Sequence, residues 1–437
     1  MIPESAADLA AQLPPRHHHR PGTATSLAGA LDLIPDGARV YVAPFGAVPT
    51  ALVGALADQP DRWTSIETVT DYLYEPLATF QRPGGPFRHA SLQASPALEP
   101  LRRLDPDALR VVPAYSSQFA GLLRPGGPLA VDVALVQVGL PGPDGRFSLG
   151  VLGGSTAEVV RSAPLVIAEV NPAMPYTLGV TECDRADFDA LVEVDHPLLA
   201  LPPSEPNDTA TLIAAHVAPL IPERATLEYG IGAIPDAVLA ALGDREDLGI
   251  HSGMLGDGAI DLIERGVVTG AAKTLDPGRH VAAALVGSEA LYQWVRGRDD
   301  IWMAASNYSH GVPVLARQAR FTAINSAIEV ALDGGVNAEV AASRVVSGPG
   351  GQPDFAVAAQ LAPGGVGIVA LPSTAGRGRV SRLVPEITNG RPVTVARSLA
   401  DWVVTEHGAA RLAGADLGER ERRLLAIVHP DHRGRIV

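Results

Sequence analysis

Between Glu228 and Asp257 the chain sets glycines, a histidine and carboxylates at spacings that could hold a polarised carbonyl and move a proton beside it. The stretch opens as EYGIGAIPDAV (Glu228–Val238) and, after a helix's worth of residues, continues as GIHSGMLGDG (Gly249–Gly258). Gly230-Ile231-Gly232 ahead of Pro235 reads as a strand end turning into a helix, because proline is accepted in a first turn whose N–H groups have no intrahelical partner. Such a turn aims free N–H groups at an anion or a carbonyl oxygen. A second run, Ser347-Gly348-Pro349-Gly350-Gly351-Gln352-Pro353-Asp354-Phe355, offers the same kind of donors. Donors so placed can stabilise an oxyanion as it develops. Taken singly, each glycine run reads equally as a plain turn.

Groups able to move protons stand nearby. His251 could serve as a general base, or equally as a packed histidine that shapes its loop. Asp257 and Asp261 lie four and eight residues beyond Gly253. If a helix starts near Met254, they sit about one and two turns away at roughly 5.4 Å per turn, and Asp257 caps or orients the loop. Met254 itself is expected in the core. Glu406 and His407 follow a strand, where site residues collect in open α/β sheets. Ser326, Ser347 and Ser373 carry hydroxyls beside glycines or strand ends. None lies in a G-x-S-x-G elbow, which argues against a serine hydrolase. Arg377, Arg379 and Arg382 make a basic loop suited to phosphates or a carboxylate, with a solvated loop as the alternative for the first two.

The elements that must carry these residues follow from the apolar pattern. Val40–Ala43, Val131–Val138 and Leu165–Val170 read as strands buried on both faces, as in a parallel or mixed sheet. Ala47–Leu56 and Ser155–Arg161 read as the helices between them. Later strands are expected at Thr226–Tyr229, His280–Val286, Phe321–Asn325, Gly367–Leu371, Pro392–Ala396 and Trp402–Thr405. Helices are expected at Pro235–Leu242, Ile260–Glu264, Ser288–Arg296 and Leu417–Val428. The run Leu199–Asp208 carries three prolines in LALPPSEPND and reads as a connection, followed by a helix capped by Asp208 or Thr209. The fold class is therefore α/β: two similar-sized domains, 1–205 and 206–437, each an open, mostly parallel sheet covered by helices. No repeat of solenoid length is present.

Composition narrows the function. The 437 residues are 46% hydrophobic, with mean hydropathy +0.15, enough to bury large cores. A net charge of −14 argues against nucleic acid or an acidic membrane surface as partner, while leaving room for a phosphate-bearing small molecule. No run reaches the ~18 apolar residues of a membrane helix, and the start lacks a signal peptide's basic and apolar regions. Cys183 is the only cysteine, so no internal disulfide is possible and a cytoplasmic setting is the simplest reading. It is expected to be half-buried. The 12 histidines show no ligand spacing for a metal, and His17–His19 read as a surface segment.

Together these stretches resemble the acetyl-CoA hydrolase/transferase family, close to 4-hydroxybutyrate CoA-transferases. The likeness spans about residues 35–435 and is strongest from Leu227. It rests on G-I-G-x-x-P at Gly230–Pro235, on Ser347–Phe355, on AINSAIE (Ala323–Glu329) followed by Val336–Glu339, and on Leu371–Ala375. It continues through VSRLVP (Val380–Pro385), VTEHG (Val404–Gly408, with His for the family's Tyr) and His429-Pro430. The first half matches more loosely at Asp132–Leu135, Pro143–Gly145, Ser148–Gly150, Ala168–Asn171 and Met174-Pro175.

The resemblance implies a fold of the CoA-transferase type, coenzyme A or an acyl-CoA as substrate, no metal, and a homodimer. It implies backbone donors at Gly230, Gly232, Gly348, Gly350, Gly351 and Gln352 for an oxyanion and CoA. Substrate contacts are placed at Asn325, Ser326, Ser373, Arg382 and His407, and the catalytic candidates are His251, Gly253, Asp257 (as a replacement nucleophile, against its reading as a loop cap) and Glu406. In the family, a glutamate in H-[ST]-E-M attacks the thioester and then carries CoA as an enzyme thioester. Here that position is Gly253, which has no side chain to attack with. Three functions stay open: hydrolysis or direct acyl transfer to water, an alcohol or an amine through the vacated space; ordinary transfer of CoA between carboxylates such as acetate and 4-hydroxybutyrate; or a silent CoA-binding paralogue or partner subunit.

Overall fold

The computed structural model describes residues 22–205, 207–388 and 390–436; His17–His19 lie outside them. The described chain forms two compact units. One runs up to Pro202 and includes Val281–Ser309; the other comprises Pro203–His280 and the chain from His310. Where the sequence suggested a single division near 205, Val281–Ser309 packs with the first unit. The cause is pairing between distant segments, which local periodicity does not record. Ile301–Met303 pairs in parallel with Leu178–Gly179, and the Leu285 N–H donates to the Val151 carbonyl.

The first unit is built on eight parallel strands. Their order is Thr23–Ala24, Ala190–Glu193, Leu165–Val170, Val133–Val138, Arg39–Val42, Ile66–Thr70, Phe87–Ser91 and Leu109–Val111. Every residue of Val133–Val138 is buried, so both faces of the sheet are covered, as its unbroken apolar run requires. Helices Thr50–Ala57 and Gly154–Ser162 fall within a residue or a few of their expected bounds. Cys183 is completely buried rather than half-buried, and burial pushes its thiol up to about 12, leaving it an inert core residue.

The second unit carries a sheet in the order Gly408–Arg411, Trp402–Thr405, Val366–Ala370, Phe321–Asn325, Thr226–Tyr229 and Gly249–Leu255. All its pairings are parallel except the terminal hairpin. The chain starts in the middle at Thr226–Tyr229, goes to one side for Gly249–Leu255, and then builds outward on the other. Helix Gln352–Leu361 lays Phe355, Ala358 and Ala359 against Phe321 and Ala323. Helix Asp208–Val217 is capped by Asn207, whose side chain accepts from the Ala210 N–H; Asp208, an expected cap, is instead the first helical residue. Asn207 is extended, as an N-cap must be.

Pro392–Ala396 is not a strand. Only Val395 bridges, to Val336, and Pro392 has no N–H for a ladder. Among the described residues no helix is long and apolar enough to cross a membrane.

Candidate functional site

In an open parallel sheet, ligands sit at the carboxyl ends of the strands where the strand order reverses. In the second unit that point is the end of Thr226–Tyr229, between Gly249–Leu255 and Phe321–Asn325. The glycine turn Gly230-Ile231-Gly232 leaves from it. Gly232, with φ +115°, starts helix Ala233–Ala240 and has no side chain to cap it, so the first N–H groups have no side-chain cap.

Gly249–Leu255 is a strand, which overturns the helix considered near Met254. Met254 is only partly buried. Leu227 pairs with Ile250, so counting three residues on from each brings Gly230 level with Gly253. The Ser252 hydroxyl, which donates to the Tyr229 carbonyl at 3.2 Å, keeps that register to its end.

The position of Gly253 is not an open space. A Cβ there would lie 2.7 Å from Nε2 and 3.2 Å from Cε1 of His310, and 3.4 Å from Cζ of Phe355. A Cβ at Gly351, in the second glycine run, would lie 2.5 Å from His310 Cδ2, 2.5 Å from Phe355 Cε2 and 2.9 Å from His310 Nε2. The two rings are tilted by 33° with centroids 4.9 Å apart. The expected vacancy beside Gly253 is thus filled by an imidazole. Burial lowers the His310 ring to about 4, so it is neutral near pH 7. Gly351→Ala should therefore cost about 1–3 kcal/mol by overpacking, seen as a lowered Tm. An unchanged Tm would mean the rings are loosely held.

His251 shares a strand face with Gly253. It is fully buried, and its Nδ1 lies 3.2 Å from the Gln318 side-chain nitrogen. Gln318 also accepts from the Thr274 and Leu275 N–H groups, so this histidine is tied into the scaffold. One strand over, Glu228 accepts from the Asn325 amide at 2.6 Å. Burial pushes its carboxyl up to about 8, so it is mostly a neutral acid at pH 7, able to donate as well as accept. Asn325 and Gln352 line a cavity of about 20 Å³, room for one water, and Gln352 Nε2 is buried with no hydrogen-bond partner among the described residues.

A further cluster stands at the end of Trp402–Thr405. Glu406 accepts from the Ser373 N–H at 2.8 Å and the Ser373 hydroxyl at 2.6 Å. Burial alone would raise its carboxyl, but these bonds and His407 hold it below the ordinary value. His407 Nε2 is 3.6 Å from Glu406. Burial lowers Arg382 while Glu406 opposes the shift; Arg382 donates one N–H to the Ala327 carbonyl, and its buried Nε has no hydrogen-bond partner among the described residues. That guanidinium donor suits an anionic or carboxylate ligand.

Other expected site residues are placed differently. Asp257 begins a short 3₁₀ turn at Asp257–Ala259 beyond the strand, four extended residues or on the order of 13 Å of chain from Gly253. Its charge adds to burial in raising Asp236. The exposed Ser326 donates its hydroxyl to the Ala370 carbonyl. Gly348 and Gly350 are buried in the second glycine run, Gly350 at φ +56°. His310, Gln318 and the neutral state of Glu228 are not legible in the sequence, and Phe355 is legible only as the end of the second glycine run. His310 sits in SHGVP, with no motif around it; its partners are glycines far away in the chain.

The comparisons with known proteins agree with this architecture. Residues 28–189 match the acetyl-CoA hydrolase/transferase N-terminal domain, and residues 287–437 its C-terminal domain. The chain is 38% identical over 411 residues to a 4-hydroxybutyrate coenzyme A transferase of Clostridium kluyveri, covering 92% of this chain and 94% of that protein. RipA from Yersinia pestis has a similar structure, with TM-score 0.88 and 31% identity over 94% of this chain and 95% of that one. A 4-hydroxybutyrate CoA-transferase from Porphyromonas gingivalis gives TM-score 0.79 and 32% identity over 94% and 96%. The chain therefore belongs to the acetyl-CoA hydrolase/transferase family and is an enzyme, an acyl-CoA transferase or hydrolase.

Proposed function

We propose that this enzyme cleaves the thioester of a small acyl-CoA without a covalent glutamyl-CoA intermediate, passing the acyl group to water or directly to a small acceptor. The observation that carries the reading is Gly253, which has no nucleophile and has an imidazole and a phenyl ring packed against it. In this reading the backbone donors of Gly230, Gly232, Gly348, Gly350 and Gly351 receive the thioester oxygen and CoA. Gln352 and Asn325 orient the acyl end. Ser373, Glu406, His407 and Arg382 hold the acceptor, with Ser326 at its edge. His251 fixes the strand that carries Gly253, and Asp257 supports the following turn. Coenzyme A enters as substrate and no metal takes part. A cytoplasmic setting and a homodimer are carried over from the sequence.

Mass spectrometry of the protein with a panel of acyl-CoAs, with and without acetate, tests this. Free CoA should appear without acetate, and borohydride should trap no protein-bound CoA. A CoA adduct on any side chain would overturn the non-covalent route. That outcome would favour ordinary CoA transfer between carboxylates such as acetate and 4-hydroxybutyrate, the reading supported by the 38% identical relative's name.

A further inference from the structure

We propose that His310 is the general base of this site, and that positions 253 and 351 are glycine because its ring needs both. The inference rests on the reading above, that an acyl-CoA thioester is cleaved here.

Backbone conformation does not require glycine at either position. Gly253 lies inside the regular strand Gly249–Leu255, and Gly351 has φ −88°, a value any residue adopts. What a side chain would meet is the ring, joined at 351 by Phe355 Cε2 at 2.5 Å. The same atom, Nε2, would be 2.7 Å from a Cβ at 253 and 2.9 Å from one at 351. Two glycines from separate segments thus converge on one nitrogen. That nitrogen lies about as far from the missing Cβ as a glutamate's carboxyl carbon lies from its own, two bonds on. It stands in the shell that a nucleophilic side chain at 253 would have filled.

The surroundings hold the ring in place. Phe355 packs on it from helix Gln352–Leu361, and His310 is only 7% exposed. Being neutral, the ring can take a proton. Its basicity is low, but positioned carboxylates of ordinary pKa also serve as general bases, and an oxyanion forming nearby favours the protonated ring.

The step balances as follows. An acceptor O–H or N–H gives its proton to Nε2 while its heavy atom bonds to the thioester carbonyl carbon. The carbonyl oxygen takes the negative charge against backbone N–H groups. The C–S bond then breaks, and the CoA sulfur leaves with the proton returned from Nε2. With water, acyl-CoA and water become a carboxylic acid and CoA; an alcohol gives an ester and an amine an amide.

The test uses the full chain as wild type, His310→Asn and His310→Gly, with release of CoA, CoA affinity by calorimetry and Tm measured for each. Asn keeps bulk and polarity but cannot take the proton; Gly opens a hole the size of an imidazole. We expect kcat to fall by about 10²-fold or more in both, CoA affinity to stay within about threefold, and added imidazole to restore turnover in His310→Gly in proportion to its concentration. Wild-type kcat in either variant overturns the assignment. So does a folded, CoA-binding His310→Gly that imidazole cannot rescue. If the wild type leaves every thioester intact, the reading of function falls and this inference with it; turnover that survives His310→Asn removes only the inference.

Discussion

Gly253→Glu alone should form no enzyme–CoA thioester, should lose the wild-type cleavage of acyl-CoA, and should unfold at a lower temperature. The resemblance read from the sequence implies the opposite result, a transferase activity restored by Gly253→Glu if the surrounding site is intact. The packing around position 253 is the reason to expect one change to be insufficient. The first atom of the new side chain meets His310 Nε2 at 2.7 Å and Phe355 Cζ at 3.4 Å, before any carboxylate is placed. Overpacking a buried site costs about 1–3 kcal/mol, and a longer side chain more. The displaced imidazole also leaves the position from which it acts. The double variant Gly253→Glu/His310→Gly removes the obstacle and should yield a CoA adduct that borohydride traps at position 253. An adduct in the single variant would show that His310 moves freely, and would refute the packing argument. An adduct in neither, with both folded, would mean that the glycine runs no longer present the thioester to residue 253.

Glu228→Gln should change the pH dependence of stability by several degrees in Tm. The folded carboxyl sits near 8, against an ordinary value of 4.5, because burial disfavours its charge. Between pH 4.5 and 8 the folded chain therefore holds a proton that the unfolded chain has released. Stability falls as pH rises through that window. At about 1.4 kcal/mol per unit, the full effect is on the order of a few kcal/mol. Gln cannot ionise and still offers a carbonyl to the Asn325 amide. Relative to wild type, Glu228→Gln should gain stability at pH 8 and little or none at pH 5. Asp71 and Glu158, both raised by burial to about 7, slope the same way in both proteins and cancel in the difference. A difference in Tm that stays constant from pH 5 to pH 8 would show that Glu228 is ionised in the fold.

Several elements were legible with their bounds intact. Leu165–Val170, Thr226–Tyr229, Phe321–Asn325, Trp402–Thr405 and Ile260–Glu264 stand where the apolar pattern placed them. Burial on both faces leaves an unbroken apolar run that local reading can detect. The glycine turn before Pro235 was legible for a similar reason, since conformational needs are written in residue type at the place they occur. Pro392–Ala396 and the start of the helix after Asn207 were misread because a single proline or cap decides them, and several neighbours compete for the role.

The amino-acid sequence by itself determined the α/β class, the glycine turns, and the lack of a side chain at 253, because each is a local property of residue type and order. Only the tertiary structure decided what stands beside Gly253. His310 reaches Gly253 and Gly351 through strand order and the packing of helix Gln352–Leu361, and Glu228 holds its proton because burial in the sheet outweighs the Asn325 amide, which favours the charged form. Proximity and dielectric are made by contacts between segments far apart in the chain, and no spacing within one segment encodes them.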